Sequence, residues 1–489
     1  MLKQLAARKS VATIHRELET GPKLNRVLDR KALTAVGLGS MIGSGIFVLT
    51  GTVASQHTGP AVTLAFLVAA LGCGLAAMCY AELASMIPVS GSAYSYTYAT
   101  LGEGVAWFVG WNLALEYVMS GAAVAVSWSG YVVNLLAEFG LELPPALTNA
   151  PLGKTDGTLH HLAATGAIVN LPAVLIVAAL TYLCYVGVKQ SARANNLMVL
   201  IKIVIIVVFV IAGLKYVSTD LWQPYLPANT GQYGQFGFSG VLQGAAIIFF
   251  AYIGFDQAAT TAQEARNPQR DVPWGIMAAL LISTTLYVTM AAVMTGMVPY
   301  DQLNVSAPVA VALDAHPELD WLALPVKIGI IVGLTSVILM SLLGQPRIFM
   351  AMSRDGLLPP AMQNVHPKHR TPHVGTLVTG VIAAFFAGVF PLDVLGELIS
   401  IGILIAFSAV CAGVVVLRRT QPDMPRPFRV PFAEFTGPAG VFVCFAMAYA
   451  LPHDTWIRLA IWTAIGAAVY IGYGYRHSRL RQQMGSDPG

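Results

Sequence analysis

Apolar residues run along this chain in long blocks, separated by short polar stretches that hold most of its charge. A helix that crosses a bilayer needs about 20 mostly apolar residues. Twelve blocks meet that length, at residues 33–55, 61–88, 104–137, 168–187, 194–217, 236–262, 272–299, 321–352, 373–391, 393–418, 436–451 and 455–475. Pro88, Pro273, Pro299, Pro372 and Pro391 stand where these blocks begin or end, as helix breakers should. The pattern predicts an all-α polytopic membrane protein with twelve transmembrane helices.

Composition agrees. Of 489 residues 56% are hydrophobic and 11% charged, against about 25% charged in soluble chains. The mean hydropathy is +0.66. The first 20 residues are basic and polar, without the apolar core or small-residue cleavage site of a secretory signal. Twelve spans place both termini on one side, and the basic residues choose it, since cytoplasmic loops carry the excess of Lys and Arg. Of the 28, 23 fall on the side of the termini, and only Lys154, Lys215 and Arg458 on the other. Both termini are therefore expected in the cytoplasm of a cell-membrane protein. The basic residues serve topology, and no nucleic-acid partner is expected. The five cysteines all lie in apolar runs, so neither a disulfide nor a metal knuckle is suggested.

One block is locally at odds with its role. "VGLGSMIGSGIFVLTG", Val36–Gly51, holds five glycines and three hydroxyl residues, Ser40, Ser44 and Thr50. Glycine in a helix costs about 1 kcal/mol relative to alanine, and unpaired peptide groups in hydrocarbon cost several more. The spacing does not satisfy GxGxxG and no strand precedes it, so a phosphate loop is excluded. Close helix packing would explain Gly39 and Gly43, four apart. It does not explain Gly43, Ser44 and Gly45 clustered within three residues; unwinding does. The freed N–H groups of the outer half-helix suit an anion and the freed carbonyls of the inner half suit a cation. A ligand with a carboxylate and an ammonium on adjacent atoms complements both. Five spans later, "FFAYIGFDQAATTAQEARNP" interrupts the sixth block in the same manner. Two broken helices at matching positions of two five-helix halves point to an inverted repeat with a midplane site. The expected division is a cytoplasmic segment 1–32, a first repeat 33–217, a second repeat 236–418, helices eleven and twelve at 436–475 and a tail 476–489.

These residues carry a family resemblance. "IGSGIF" resembles the signature of the amino acid–polyamine–organocation (APC) superfamily. "CYAELASMIPVSGSAYSYTYATLGEGVAWFVGWNLALEY" (Cys79–Tyr117), "FFAYIGFD", "QEARNPQRDVPWGI" and "AMSRDGLLP" resemble the cationic amino acid transporter (CAT) family and its bacterial relatives. The resemblance implies the LeuT-type 5+5 inverted repeat with two extra C-terminal helices, alternating access, and L-amino acid uptake driven by protons, without a cofactor. It implies that backbone groups of Gly43, Ser44 and Gly45 face the substrate carboxylate. Carbonyls of Met41 or Ile42, Phe250, Ala251 and Ile253 would face the ammonium, with Phe250 as an aromatic gate. In proton-coupled relatives a lysine on helix five replaces the sodium ion that bridges helices one and eight, and Lys202 matches that position.

Charges at membrane depth cost about 2.5–3.5 kcal/mol and default to functional roles. Glu116, Asp256 and Tyr287 are expected to form a polar network that closes on substrate binding. Glu82 and Glu103 are expected to pair with loop arginines, and Lys327 to snorkel. Ile338, with Val337, is the candidate wall for the substrate side chain, favouring small neutral amino acids over arginine. The outer loop near 138–168 has no cysteine, so no disulfide-linked heavy chain is expected. No histidine spacing suits a metal, and no motif supports hydrolysis. An exchanger or a non-transporting sensor of the same fold is the alternative to a symporter.

Overall fold

The computed structural model describes residues 2–20, 28–89, 91–154, 162–187, 192–369 and 371–486. The long helices are α1 (Arg30–Met41), α2 (Val62–Met86), α3 (Ser92–Thr100), α4 (Glu103–Glu138), α5 (Leu171–Val186), α6 (Ala192–Gly213) and α7 (Gly237–Ile248). They continue with α8 (Phe255–Thr260), α9 (Pro268–Met297), α10 (Asp320–Arg354), α11 (His373–Val389), α12 (Leu392–Thr420), α13 (Ala433–Ala450) and α14 (His453–Val469). Among the described residues nine helical runs are long and apolar enough to cross a membrane, and α5 and α11 are shorter apolar helices. This is a multi-pass membrane protein, mostly helical. The loop after α4 departs from the all-helical expectation with a small antiparallel pair, Leu152–Lys154 against Leu162–Ala164.

Helix ends follow local chemistry. The Asp29 side chain accepts the Ala32 N–H at 2.9 Å and caps α1. Asn170 caps α5 in the same way, and Gly187 ends it in the left-handed region that a Cβ disfavours. Pro273 does not start its helix as expected. The start is Pro268, at the first helical position where the missing N–H is harmless, and Pro273 lies inside α9.

The core is built by α4 packed along α10 and α12, and by α9 packed along α1 and α2. The two chain ends meet at one end of this bundle. Gln4 donates to the Tyr475 carbonyl oxygen at 3.4 Å, and the Leu28 strand bridge to Ala265 ties the chain ahead of α1 to the chain after α8.

Candidate functional site

Each of the two broken helices opens at the residues the sequence marks. α1 stops at Met41, and Ile42 turns to an extended conformation with ψ 97°. Helix resumes through Ser44 as a wide π-type coil over Gly45–Leu49. α7 tightens into a 3-10 turn at Phe249–Tyr252, then Ile253 is extended (ψ 135°) and Gly254 sits at φ +121°. A side chain at Gly254 would be strained by that backbone and would also reach within 2.6 Å of Ser40 Cβ. The breaks touch. A Cβ on Gly45 would lie 2.3 Å from Ala251 Cβ, and one on Gly43 would lie 3.3 Å from Val337 Cγ2 on α10.

The carbonyls released by the first break are not left bare. Fully buried Lys202, from α6, donates to Gly39 O at 2.7 Å and Ile42 O at 2.9 Å. Such a bond contributes about 0.5–1.5 kcal/mol from a neutral donor and about 1.5–3 kcal/mol from a charged one. Gly333 of α10 makes room, since a Cβ there would stand 3.0 Å from Lys202 Cγ. The ammonium therefore joins α6 to the unwound part of α1 beside α10. At the second break Tyr287 of α9 donates to Ala251 O at 3.0 Å. Tyr131 of α4 donates to Phe47 O at 2.7 Å, on the π-type coil.

The comparisons fit this geometry. The family model for amino acid permeases matches residues 28–470. The chain belongs to the amino acid permease family. It is 43% identical to a branched-chain amino acid permease of Bacillus subtilis (strain 168) over 476 residues, 97% of this chain and 98% of that one. It is 45% identical to a methylthioribose transporter of the same organism, over 94% of this chain and 95% of that one. A vacuolar cationic amino acid transporter of Arabidopsis thaliana is 40% identical over 86% of this chain and 68% of its own. These relatives are named as permeases and transporters, not as enzymes.

In this permease, Met41, Ile42, Gly43, Ser44, Gly45, Phe250, Ala251, Ile253 and Ile338 are all buried. The three expected network residues are arranged differently from a simple bridge. Tyr287 is turned to the Ala251 carbonyl, where its ring stands 5.4 Å from that of Tyr252. The phenol on Asp256 is Tyr117, donating to Oδ2 at 3.2 Å. Sequence reasoning passed over Tyr117 because a helix pattern does not say which of two adjacent side chains, Glu116 or Tyr117, turns toward Asp256. Ser44 Oγ, Glu116 Oε2 and Asp256 Oδ1 are buried without a hydrogen-bond partner in the protein, as are both amide atoms of Gln345 on α10. Buried polar groups are seldom left so, and of these Ser44 and Asp256 lie at the breaks themselves.

Other charges are accounted for structurally. Glu82 pairs with Arg418 and Arg426 as expected. Glu103 does not pair with an arginine. It is enclosed where the chain ends meet, and accepts from Gln4, Tyr98, Tyr470 and Ser478, whose neutral donors fill its lone pairs. Lys327 does not snorkel; it is buried against Glu138, at the end of α4, and against Asp314. Glu397 takes Thr455 and Arg458 of α14 as partners. Three histidines, His366 and His369 in the loop and His373 at the start of α11, gather round Tyr185, yet no group placed to hold a metal occurs among the described residues.

Proposed function

We propose that this permease imports L-amino acids by proton symport through alternating access. In this reading the chain forms twelve transmembrane helices in a LeuT-type 5+5 inverted repeat, residues 33–217 and 236–418, followed by two extra helices at 436–475. Both termini lie in the cytoplasm, with the N-terminal segment 1–32 and the tail 476–489 on that side of the cell membrane. The observation that carries the reading is the Lys202 ammonium seated on Gly39 O and Ile42 O, inside the break of α1. A protonated lysine holds those carbonyls and the half-helix in place; its neutral form is a weaker donor and releases them. Protonation of one side chain is thereby linked to the position of a half-helix that forms the substrate site.

The substrate carboxylate lies against the N–H groups of Gly43, Ser44 and Gly45, helped by the positive end of the outer half-helix. The ammonium lies against the carbonyls of Met41 or Ile42, Phe250, Ala251 and Ile253. Lys202 and Tyr287 each occupy one lone pair of Ile42 O and Ala251 O; a carbonyl has a second to offer. Phe250 closes over the ligand, and Glu116, Asp256 and Tyr287 adjust as it closes. Val337, packed on Gly43, and Ile338 beside it form an apolar wall for the side chain. That wall favours small to branched aliphatic amino acids over a solvated guanidinium, in keeping with the branched-chain relative.

Purified permease in liposomes tests this. With an inward proton gradient, a panel of twenty amino acids plus methylthioribose is expected to give concentrative uptake of small and branched aliphatic amino acids. Uptake indifferent to the gradient, or uptake of methylthioribose alone, contradicts the proposal.

A further inference from the structure

The outer surface of α4 and α14 carries a groove of about 620 Å³, counted out to its open side, near the end of the bundle where the termini meet. It runs from Gly104 and Leu5 up to Trp111 and Thr463. Seven residues of α4 at 1.5 Å each make that about 10 Å of depth along the helix.

The groove is built into the fold. Trp107, Trp111 and Trp462 form a stacked ladder, with ring centroids 5.7 and 4.5 Å apart and planes within 18°. Their indole N–H groups are all spent on carbonyls of the opposite helix: Trp107 on Gly466 O, Trp111 on Trp462 O and Trp462 on Trp111 O. The ladder is thus stitched rigidly between α4 and α14. A small residue on the facing side lets the ladder seat against α14, and another leaves the groove open beside it. A Cβ on Gly466 would strike the Trp111 ring at 2.5 Å, and Ala467 follows it.

The mouth of the groove is basic. Tyr470 lines the groove, its ring is 6.4 Å from that of Tyr475, and the Arg481 guanidinium stands 4.4 Å over Tyr475. Arg476 and Arg479 are exposed on the same short segment. Glu103, next to Gly104, is turned inward and holds four hydrogen bonds, so it does not offset that charge at the surface.

We propose that this groove binds one anionic phospholipid, its acyl chain along the tryptophan ladder and its phosphate at the arginines after α14. An apolar groove with a basic mouth matches a stretch of acyl chain plus an anionic headgroup, and basic residues at a membrane surface attract such lipids. A bound lipid there braces α4 against α14 and the chain ends.

The full-length permease, delipidated in detergent and titrated with phosphatidylglycerol or phosphatidylcholine, tests this by native mass spectrometry. Wild type is expected to retain one phosphatidylglycerol in preference to phosphatidylcholine. Ala467→Phe, which fills the groove from a position already exposed, is expected to reduce retention of both by about tenfold. Arg481→Ala is expected to leave phosphatidylcholine retention unchanged and to lower the preference for phosphatidylglycerol by about fivefold. Retention unaffected by Ala467→Phe, or equal for the two lipids in wild type, overturns the proposal. So does a cross-link from Ala467→Cys to a second copy or another polypeptide in native membranes, because the groove is then filled by protein.

Discussion

Gly45 and Ala251 stand so close that a β-carbon on the first would meet the second at 2.3 Å, nearer than atoms can approach. They come from segments more than 200 residues apart in sequence, and each lies in the helical turn beside the break of its own helix. The two interrupted helices are therefore one structural unit, in which the helical turn beside one break packs on the helical turn beside the other. Gly45→Ala is expected to force them apart. Overpacking costs about 1–3 kcal/mol, and the strain falls on the site itself, so uptake should drop by at least about tenfold while the protein still inserts. Gly43→Leu, pressing on Val337, is expected to abolish substrate binding. Radioligand binding to purified protein reads both; saturable binding by Gly43→Leu contradicts the assignment.

How much of this was legible in the sequence depended on the kind of interaction. The breaks were legible because glycine and serine clustered within three residues have no role in a continuous membrane helix. Lys202 was legible because a lone lysine in hydrocarbon needs a partner, though its seats on Gly39 O and Ile42 O required the fold. The hydroxyl contacts were not legible. Tyr287 was expected beside Asp256, but Tyr117 holds that position while Tyr287 serves Ala251 O. Both tyrosines lie in buried helices, and their rotation about the helix axis is set by neighbours distant in sequence. Glu103 was read as an arginine partner because its enclosure by Gln4, Tyr470 and Ser478 joins the two ends of the chain.

Lys202→Met keeps much of the aliphatic bulk and removes the donor. Uptake driven by a proton gradient is expected to vanish, while exchange of labelled for unlabelled substrate across the same liposomes continues. Gradient-driven accumulation at the wild-type level would detach proton coupling from this lysine.

Tyr117→Phe removes the only hydrogen bond to Asp256 found among the described side chains and leaves the ring against Gly344. Loss of a bond to a buried charged group costs about 1.5–3 kcal/mol. The expected outcome is a lower thermal midpoint and slower uptake, with substrate selectivity unchanged; a change of selectivity would place Asp256 at the substrate side chain.

Val337 packs against Gly43, and in the proposed site it forms the wall for the substrate side chain. Val337→Ala cuts that wall back, enlarges the space beside it and is expected to shift preference toward longer aliphatic side chains, by about the 10–200-fold that one methylene can confer. Competition assays with alanine, valine and leucine measure it, and an unchanged order of preference removes Val337 from the wall.

The central claim is that backbone groups of both breaks hold the two charges of one zwitterion. Competition for binding by L-leucine, its amide and the corresponding carboxylic acid without the amine tests it most directly. The account predicts that deleting either charge weakens binding by about 10–100-fold, as loss of charge-assisted hydrogen bonds should. Analogues lacking one charge that compete as well as leucine itself would contradict it.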